Sequence, residues 1–198
     1  MKKEFEMTDL GLMKYLLGLE VKQSEEGIFI SQERYALEIL KKFKMEDCNP
    51  VSTLMEQCIQ LSKFDGGERA DAGRYQSLVG SLRYLTSTRP NLILSVGITS
   101  RLMEDPGYAH WKTLKRILRY VRGTISLGIF YSKSDDYRLM GYFDSDWYGD
   151  IDNWKSTSGY VFLLRNTTLT WLSKQPIVTL STCEAEYVAA SWRVCHAV

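Results

Sequence analysis

Hydrophobic and polar positions change period several times along this chain, and each change marks an element. Residues 12–23, "LMKYLLGLEVKQ", and 27–32, "GIFISQ", flank the turn "SEEG" and read as two strands of a hairpin. From Ser31 the pattern becomes helical. Tyr35, Ala36, Ile39, Leu40 and Phe43 fall at i, i+1, i+4, i+5 and i+8 over residues 31–45, with Ser31 as the expected N-cap. Residues 47–73 lose all periodicity and collect Gly, Asp and Ser, which predicts a connector. Helical spacing returns over 75–87, 91–103 and 109–123. The first stops before Arg89-Pro90, the second before Asp105-Pro106, and the third at Gly123, placed as a C′ glycine. Beyond Gly123 the period shortens to two. "LGIFYS", "YRLMGYFDSDW", "TSGYVFLLRN" and "LTWLSKQ" predict four short strands, and "STCEAEYVAASWRVCHAV" a final helix. The chain stops inside that helix, as a truncated domain would, or as a natural terminal helix that frays. The elements together predict an α/β (α+β) protein without internal repeats.

Composition narrows the function classes. The 198 residues carry a net charge of +1, with 44% hydrophobic and 25% charged positions, ordinary values for a globular chain. Nucleic-acid binding therefore needs a local basic patch rather than a basic molecule. Cys48, Cys58, Cys183 and Cys195 form no C-x-x-C pair and only two histidines are present, which argues against zinc and for reduced thiols. "MKKEFEMTDL" lacks the apolar stretch of a secretory signal, and no run is long enough to span a membrane, so a cytoplasmic or nuclear setting is expected.

Two features carry chemistry. The strand "GYFDSDW" holds Asp144 and Asp146, although strands deplete aspartate. Alternation places Tyr142, Asp144 and Asp146 on one face, with successive residues of that face about 6.5–7 Å apart. Carboxylates so placed repel unless a cation or water intervenes. A solvated strand end leading into "YGDIDN" is the competing explanation. The last helix opens with "STCE", a capping-box pattern in which Ser181 caps and Glu184 bonds back to the Ser181 N–H. Glu186 has no such duty. It precedes Ala189 and Ala190, a small-residue face suited to packing on a sheet. A carboxylate there would need a partner, and a metal shared with Asp144 would supply one. An aspartate on a first strand, further antiparallel strands and a helical glutamate is the order used where carboxylates hold two Mg2+ ions for phosphodiester hydrolysis.

The second feature is the helix "HWKTLKRILRYVRGT". Lys112, Lys115, Arg116, Arg119 and Arg122 recur along one side opposite an apolar stripe. They form either the solvated face of an amphipathic helix or contacts to the phosphates of a duplex. "RILR" (116–119) also spells the R-x-L-R string of secreted oomycete effectors, but without a preceding signal, so coincidence is the expectation. Lys174-Gln175 ends the last strand, either as a surface turn or as a backbone contact to nucleic acid. His110 and His196 are expected as surface or capping residues, and Trp147, Trp154 and Trp171 as packing of the sheet.

These motifs carry a resemblance. "GIFISQERYALEILKKF", "SLVGSLRYLTSTRPNLILSVGITSRLM", "HWKTLKRILRYVRGT", "GYFDSDWYGDIDNWKSTSGYVFLL" and "TWLSKQPIVTLSTCEAEYVAAS" resemble, in this order, the Pol polyprotein of copia-type LTR retrotransposons of plants. The resemblance implies that residues 1–53 are the end of a reverse transcriptase domain and 54–130 a helical thumb and connection region. It makes 131–198 the first part of an RNase H-like domain. It implies Asp144 and Glu186 as catalytic metal ligands, Asp146 as a non-ligand neighbour, and Mg2+ as the ion. The implied partners are an RNA–DNA hybrid or primer–template and the rest of the polyprotein. The paired-aspartate polymerase motif is absent from these residues. Asp135-Asp136 stands outside the hairpin context of that motif. The expectation is a fragment without polymerase or nuclease activity of its own. The alternative is a non-catalytic nucleic-acid-binding or interaction protein.

Overall fold

In a computed structural model, the described residues are 11–56, 59, 61–64, 66–133, 137–147, 150–174 and 178–197, with backbone alone at 192, 193 and 195–197. The "MKKEFEMTDL" segment, Cys58, Asp135-Asp136, Gln175 and the side chains of Cys195 and His196 lie outside them. The elements follow as β1 (Tyr15–Leu16), β2 (Leu19–Gln23), β3 (Gly27–Ser31), α1 (Glu33–Lys42), α2 (Ala72–Leu85), a 3-10 turn (Pro90–Leu92), α3 (Ile93–Ser100), α4 (Tyr108–Gly123), β4 (Gly128–Ser132), β5 (Leu139–Asp146), β6 (Thr157–Leu164), β7 (Thr167–Lys174) and α5 (Thr182–Ala197).

The predicted element types hold except that the strand expected over 12–23 turns back at Leu17 and Gly18, both at positive φ, to give β1 and β2, and several ends move for local reasons. Ser31 does not cap α1. It stays in the ladder, paired with Glu20 of β2 and Gly128 of β4. Gln32 takes the cap position without a side-chain cap bond. The capping acceptor comes from the neighbouring strand, because Glu20 Oε1 receives the Arg34 N–H at 2.8 Å. The Gln32 side chain, 1% exposed, instead reaches the end of α2, where its Oε1 accepts from Thr88 Oγ1 at 2.8 Å and Ser87 Oγ at 3.2 Å. Asp71 caps α2 by accepting the Arg74 N–H at 2.9 Å. Gly123 is the last residue of α4 rather than its C′ residue.

The core lies among the helices. Ala36, Ile39 and Leu40 of α1, Tyr75, Leu78 and Leu82 of α2, Val96 of α3, and Leu114, Ile117, Leu118 and Val121 of α4 join one buried cluster. Their recurrence at three- and four-residue steps is the apolar stripe that the sequence displayed. Tyr75 is wholly buried, donates its hydroxyl to Thr99 O at 2.9 Å, and has its phenol pushed up by desolvation. Arg89, 2% exposed, crosses to the C-terminal end of α4. There it donates to Thr124 Oγ1 at 3.1 Å, to Ile125 O at 3.2 Å and to Thr124 O. A cation at that end complements the helix dipole, and burial lowers its guanidinium pKa.

Two antiparallel sheets flank this core. "LGIFYS" does not join the three strands that follow it. It becomes β4, which pairs with β3 to complete a sheet in the order β1-β2-β3-β4, leaving β5-β6-β7 as a separate sheet. β4 straddles the 130/131 boundary expected between regions. The pairing depends on close approach at a glycine. A Cβ at Gly128 would sit 2.3 Å from the Ile30 carbonyl oxygen and 2.8 Å from Phe29 Cζ. β7 touches the first sheet through Thr167 Oγ1, which donates to Phe130 O at 2.9 Å. α3 lies against β7, and α5 packs across β5 and β6. The α5 residues turned inward are Ala185 and Ala189, at 1% and 3% exposure.

Gly128→Val is expected to lower folding stability by about 1–3 kcal/mol through overpacking at the β3–β4 contact. A urea denaturation midpoint equal to that of the unaltered chain would refute the requirement for glycine.

Candidate functional site

Strand alternation in β5 turns Tyr142, Asp144 and Asp146 to one side. Their partners on β6 are Val161, Gly159 and Thr157, and those of Val161 and Gly159 on β7 are Trp171 and Ser173. This face looks toward the helical layer. Trp171 Nε1 donates to Thr86 O at 3.2 Å, and Arg101 Nη2 donates to Thr157 Oγ1 at 3.2 Å. Between them opens a groove of about 550 Å3 whose walls include Leu94, Tyr142, Asp144, Asp146, Val161 and Trp171. Asp144 and Asp146 are both exposed in it, and the glycine opposite Asp144 keeps its surroundings open. Asp144 Oδ1 accepts the N–H of Ser145 at 2.9 Å.

The start of α5 follows the capping-box expectation with one correction. Ser181 Oγ accepts the Glu184 N–H at 3.1 Å, while Glu184 Oε2 accepts from Leu180, one residue upstream of the expected Ser181 N–H, at 2.6 Å. Glu186 differs more. The buried stripe of α5 is Ala185 and Ala189, not Ala189 and Ala190, so Glu186 lies one position off the contact and is exposed. Burial therefore creates no need for a counter-charge at Glu186. Asp144 and Asp146 are brought together in the groove, and Glu186 is not among its lining residues. Carboxylate oxygens are the donors that Mg2+ prefers. Yet among the described residues no group of three or more His, Cys, Asp or Glu side chains is placed to hold a metal. The residues present do not by themselves make a closed magnesium site.

The turn after β5 holds groups that the sequence reading passed over. Asp150, 7% exposed, accepts from the backbone N–H of Asp152 at 2.9 Å and Asn153 at 3.4 Å, and from Asn153 Nδ2 at 3.2 Å. Arg101, at the end of α3, places Nη1 4.0 Å from Asp150 Oδ2. Desolvation pushes the Asp150 carboxyl up, but these hydrogen bonds and the Arg101 charge outweigh it and hold the group below its ordinary value. Burial lowers the Arg101 guanidinium, with Asp150 and Asp146 opposing. Asp152 then accepts from Ser62 Oγ at 2.5 Å and from the Lys63 N–H at 2.8 Å. The Ser62 carbonyl in turn lies 3.0 Å from His110 Nε2. His110 is fully buried and accepts the Gly107 N–H on Nδ1 at 2.9 Å, so Nε2 carries the proton given to Ser62. His110 thus caps α4, as one expectation had it, but from inside the protein. "DIDN" carried the signal of an Asx turn. Nothing local announced Arg101, whose partners follow it by about fifty residues.

The basic face of α4 is largely spent on the connector. Arg116 donates to Thr53 Oγ1 at 2.8 Å and pairs with Glu56 at 3.6 Å. Arg119 donates to Asn49 O at 2.7 Å and Arg122 to Glu46 O at 2.6 Å. Lys112 and Lys115 remain exposed, and Lys174 closes β7 opposite Ser158. The R-x-L-R string lies inside α4, with both arginines holding the connector.

A reverse transcriptase (RNA-dependent DNA polymerase) family profile matches residues 1–57. The chain is 41% identical over 202 aligned positions to the retrovirus-related Pol polyprotein from transposon TNT 1-94 of Nicotiana tabacum. That match covers 96% of this chain and 15% of the polyprotein. It is 38% identical over 186 positions to an Arabidopsis thaliana protein described as an uncharacterized mitochondrial protein, covering 93% of this chain and 77% of the relative. The chain belongs to the copia-type retrotransposon Pol polyprotein family. A third relative of this Pol segment, secreted RxLR effector protein 161 of Plasmopara viticola, is 44% identical over 119 positions, covering 59% of this chain and 84% of the relative. No solved structure matches the Pol segment. Among its described residues no helix is long and apolar enough to cross a membrane.

Because the folded-state pKa of Asp150 is lowered, its stabilising contribution is complete above the unfolded carboxyl pKa and disappears as pH falls through the folded value. Asp150→Asn is expected to cost about 1–3 kcal/mol at neutral pH by disturbing these buried hydrogen bonds. It should also flatten the acid limb of stability against pH. Urea midpoints between about pH 2 and 7 that fall equally steeply in both proteins would contradict this.

Proposed function

We propose that these residues are a working segment of a retrotransposon Pol polyprotein that joins the end of its reverse transcriptase to the start of an RNase H-type nuclease. The observation that carries this reading is the coincidence of two features. The family profile ends in the connector that α4 holds, and the last sheet presents Asp144 at an open groove directly downstream. In this reading Asp144 and Glu186 are two of the carboxylates through which the whole nuclease holds Mg2+, an ion that supplies activation of water and stabilisation of the leaving oxygen. The further ligands lie outside the 198 residues. The chain's own part is to present Asp144 on a rigid strand and to keep β5 fixed against the helical layer through Arg101 and Thr157. The nucleic-acid substrate is an RNA–DNA hybrid or primer–template, met in the cytoplasm or nucleus.

The segment by itself is inactive in this reading, since it lacks the paired-aspartate motif and supplies too few carboxylates for two ions. A second reading, a non-catalytic nucleic-acid-binding protein, is favoured by the exposed Lys112 and Lys115 on α4.

The purified chain incubated with a fluorescent RNA–DNA hybrid and Mg2+ is expected to give no cleavage above background. Cleavage that disappears in Asp144→Asn would overturn the inactivity and leave the site assignment standing. Cleavage that survives Asp144→Asn would remove the assignment as well.

A further inference from the structure

The basic row of α4, Lys112, Lys115, Arg116, Arg119 and Arg122, marked the nucleic-acid face in the sequence, but the structure occupies its arginines. Arg116, Arg119 and Arg122 each hold a group of the connector at hydrogen-bond distance. The row's lysines converge instead with cations from two further helices.

Trp111 of α4, half-buried, meets Phe43 edge-on with ring centroids 6.4 Å apart. Arg74 of α2 lies over the Trp111 ring at 5.5 Å and Lys115 at 5.7 Å. Lys42, the last residue of α1, lies 5.5 Å from the Phe43 centroid and is steered across to α2 by donating to Ser77 Oγ at 2.8 Å. Lys112, one helical step before Lys115, extends the rim. All four cations are exposed, and among the described residues none forms an ion pair with a carboxylate. The nearby Asp71 gives one oxygen to the Arg74 backbone as a helix cap. Like charges gathered on an aromatic pair at the surface repel one another, and a ligand with regularly spaced negative charge relieves that repulsion.

We infer that the rim of Lys42, Arg74, Lys112 and Lys115 around Trp111 is the surface that receives the phosphate backbone of nucleic acid, and that the arginines of α4 are internal clamps. The inference rests on the nucleic-acid part of the proposed function and changes its location. Phosphate recognition needs charge at a suitable spacing and no base readout. Three helices packed on one core hold that spacing rigidly, as a single solvated helix face does not. The aromatic pair orients the cations without neutralising them.

The test is fluorescence anisotropy of a labelled 16-base-pair RNA–DNA hybrid over a salt series. It compares the unaltered chain with Lys42→Gln/Arg74→Gln/Lys115→Gln and with Arg116→Gln/Arg119→Gln. Melting curves run in parallel. The rim variant should keep its melting temperature, lose at least tenfold in affinity at about 0.1 M salt, and show a log–log salt slope shallower by about 2–3, near 0.9 for each phosphate contact removed. The clamp variant should melt earlier and retain, per folded molecule, affinity within about threefold of the unaltered chain. If the clamp variant does not fold, the rim variant alone decides.

Binding unchanged in the rim variant, or lost equally in the clamp variant, overturns this inference and leaves the nucleic-acid reading standing. Absence of any hybrid binding by the unaltered chain overturns both. Tighter capture by phosphatidylserine vesicles than by the hybrid at equal phosphate concentration would reassign the rim to a membrane surface.

Discussion

The constraint on which this structure depends is the need to satisfy the backbone of an irregular segment. Between α1 and α2 the chain runs for nearly thirty residues without helix or strand among its described positions. Its carbonyls have no regular ladder to join, so they are satisfied by side chains or by water. α4 supplies several of these partners: Arg122 and Arg119 hold the carbonyls of Glu46 and Asn49, His110 at the other end holds that of Ser62, and Arg116 adds the Thr53 hydroxyl. The helix thus faces the core with its apolar stripe and the connector with its basic row. One helix holds the connector at several points along its length.

The same economy of polar groups attaches that sheet. Asp152 receives Ser62 and Lys63 from the connector, and Arg101 reaches Thr157 and Asp150 from α3. These contacts surround the end of β5, so the strand carrying Asp144 and Asp146 is fastened at its C-terminal end. Its exposed acids face an open groove.

Much of this was legible in the sequence, and the limits are physical. Periodicity gave the four helices of the core because burial selects residues at helical spacing. It also gave six strands, since alternation needs only a local pattern, but not the break at Leu17 and Gly18, both at positive φ, that divides the first of them into β1 and β2. It did not give partners. β4 reads like its successors but pairs with β3, because strand pairing is decided by which edge is free and close. The signal for that choice, Gly128 beneath a carbonyl, is a packing fact. The basic row was visible as charge, but an arginine that bonds a distant carbonyl looks the same in sequence as one that awaits a phosphate. Glu186 was placed one position wrong in burial because Ala185, Ala189 and Ala190 offer two small-residue stripes, and the sheet accepted the first pair. The resemblance to Pol polyproteins was carried by whole motifs and survived all these local differences.

The pairing of β3 with β4 has a consequence for the order of assembly. Ser31 and Gly128 are neighbours across the ladder yet stand about a hundred residues apart along the chain. During synthesis, the β1–β3 hairpin region emerges with one edge bare, and its fourth strand is made only after α1, α2, α3 and α4. Contacts of such long sequence separation form slowly, and an uncovered strand edge invites pairing with other chains while it waits. The helical core must therefore consolidate first. The late closing of the first sheet is then the step at which the nascent protein is most exposed to misassembly.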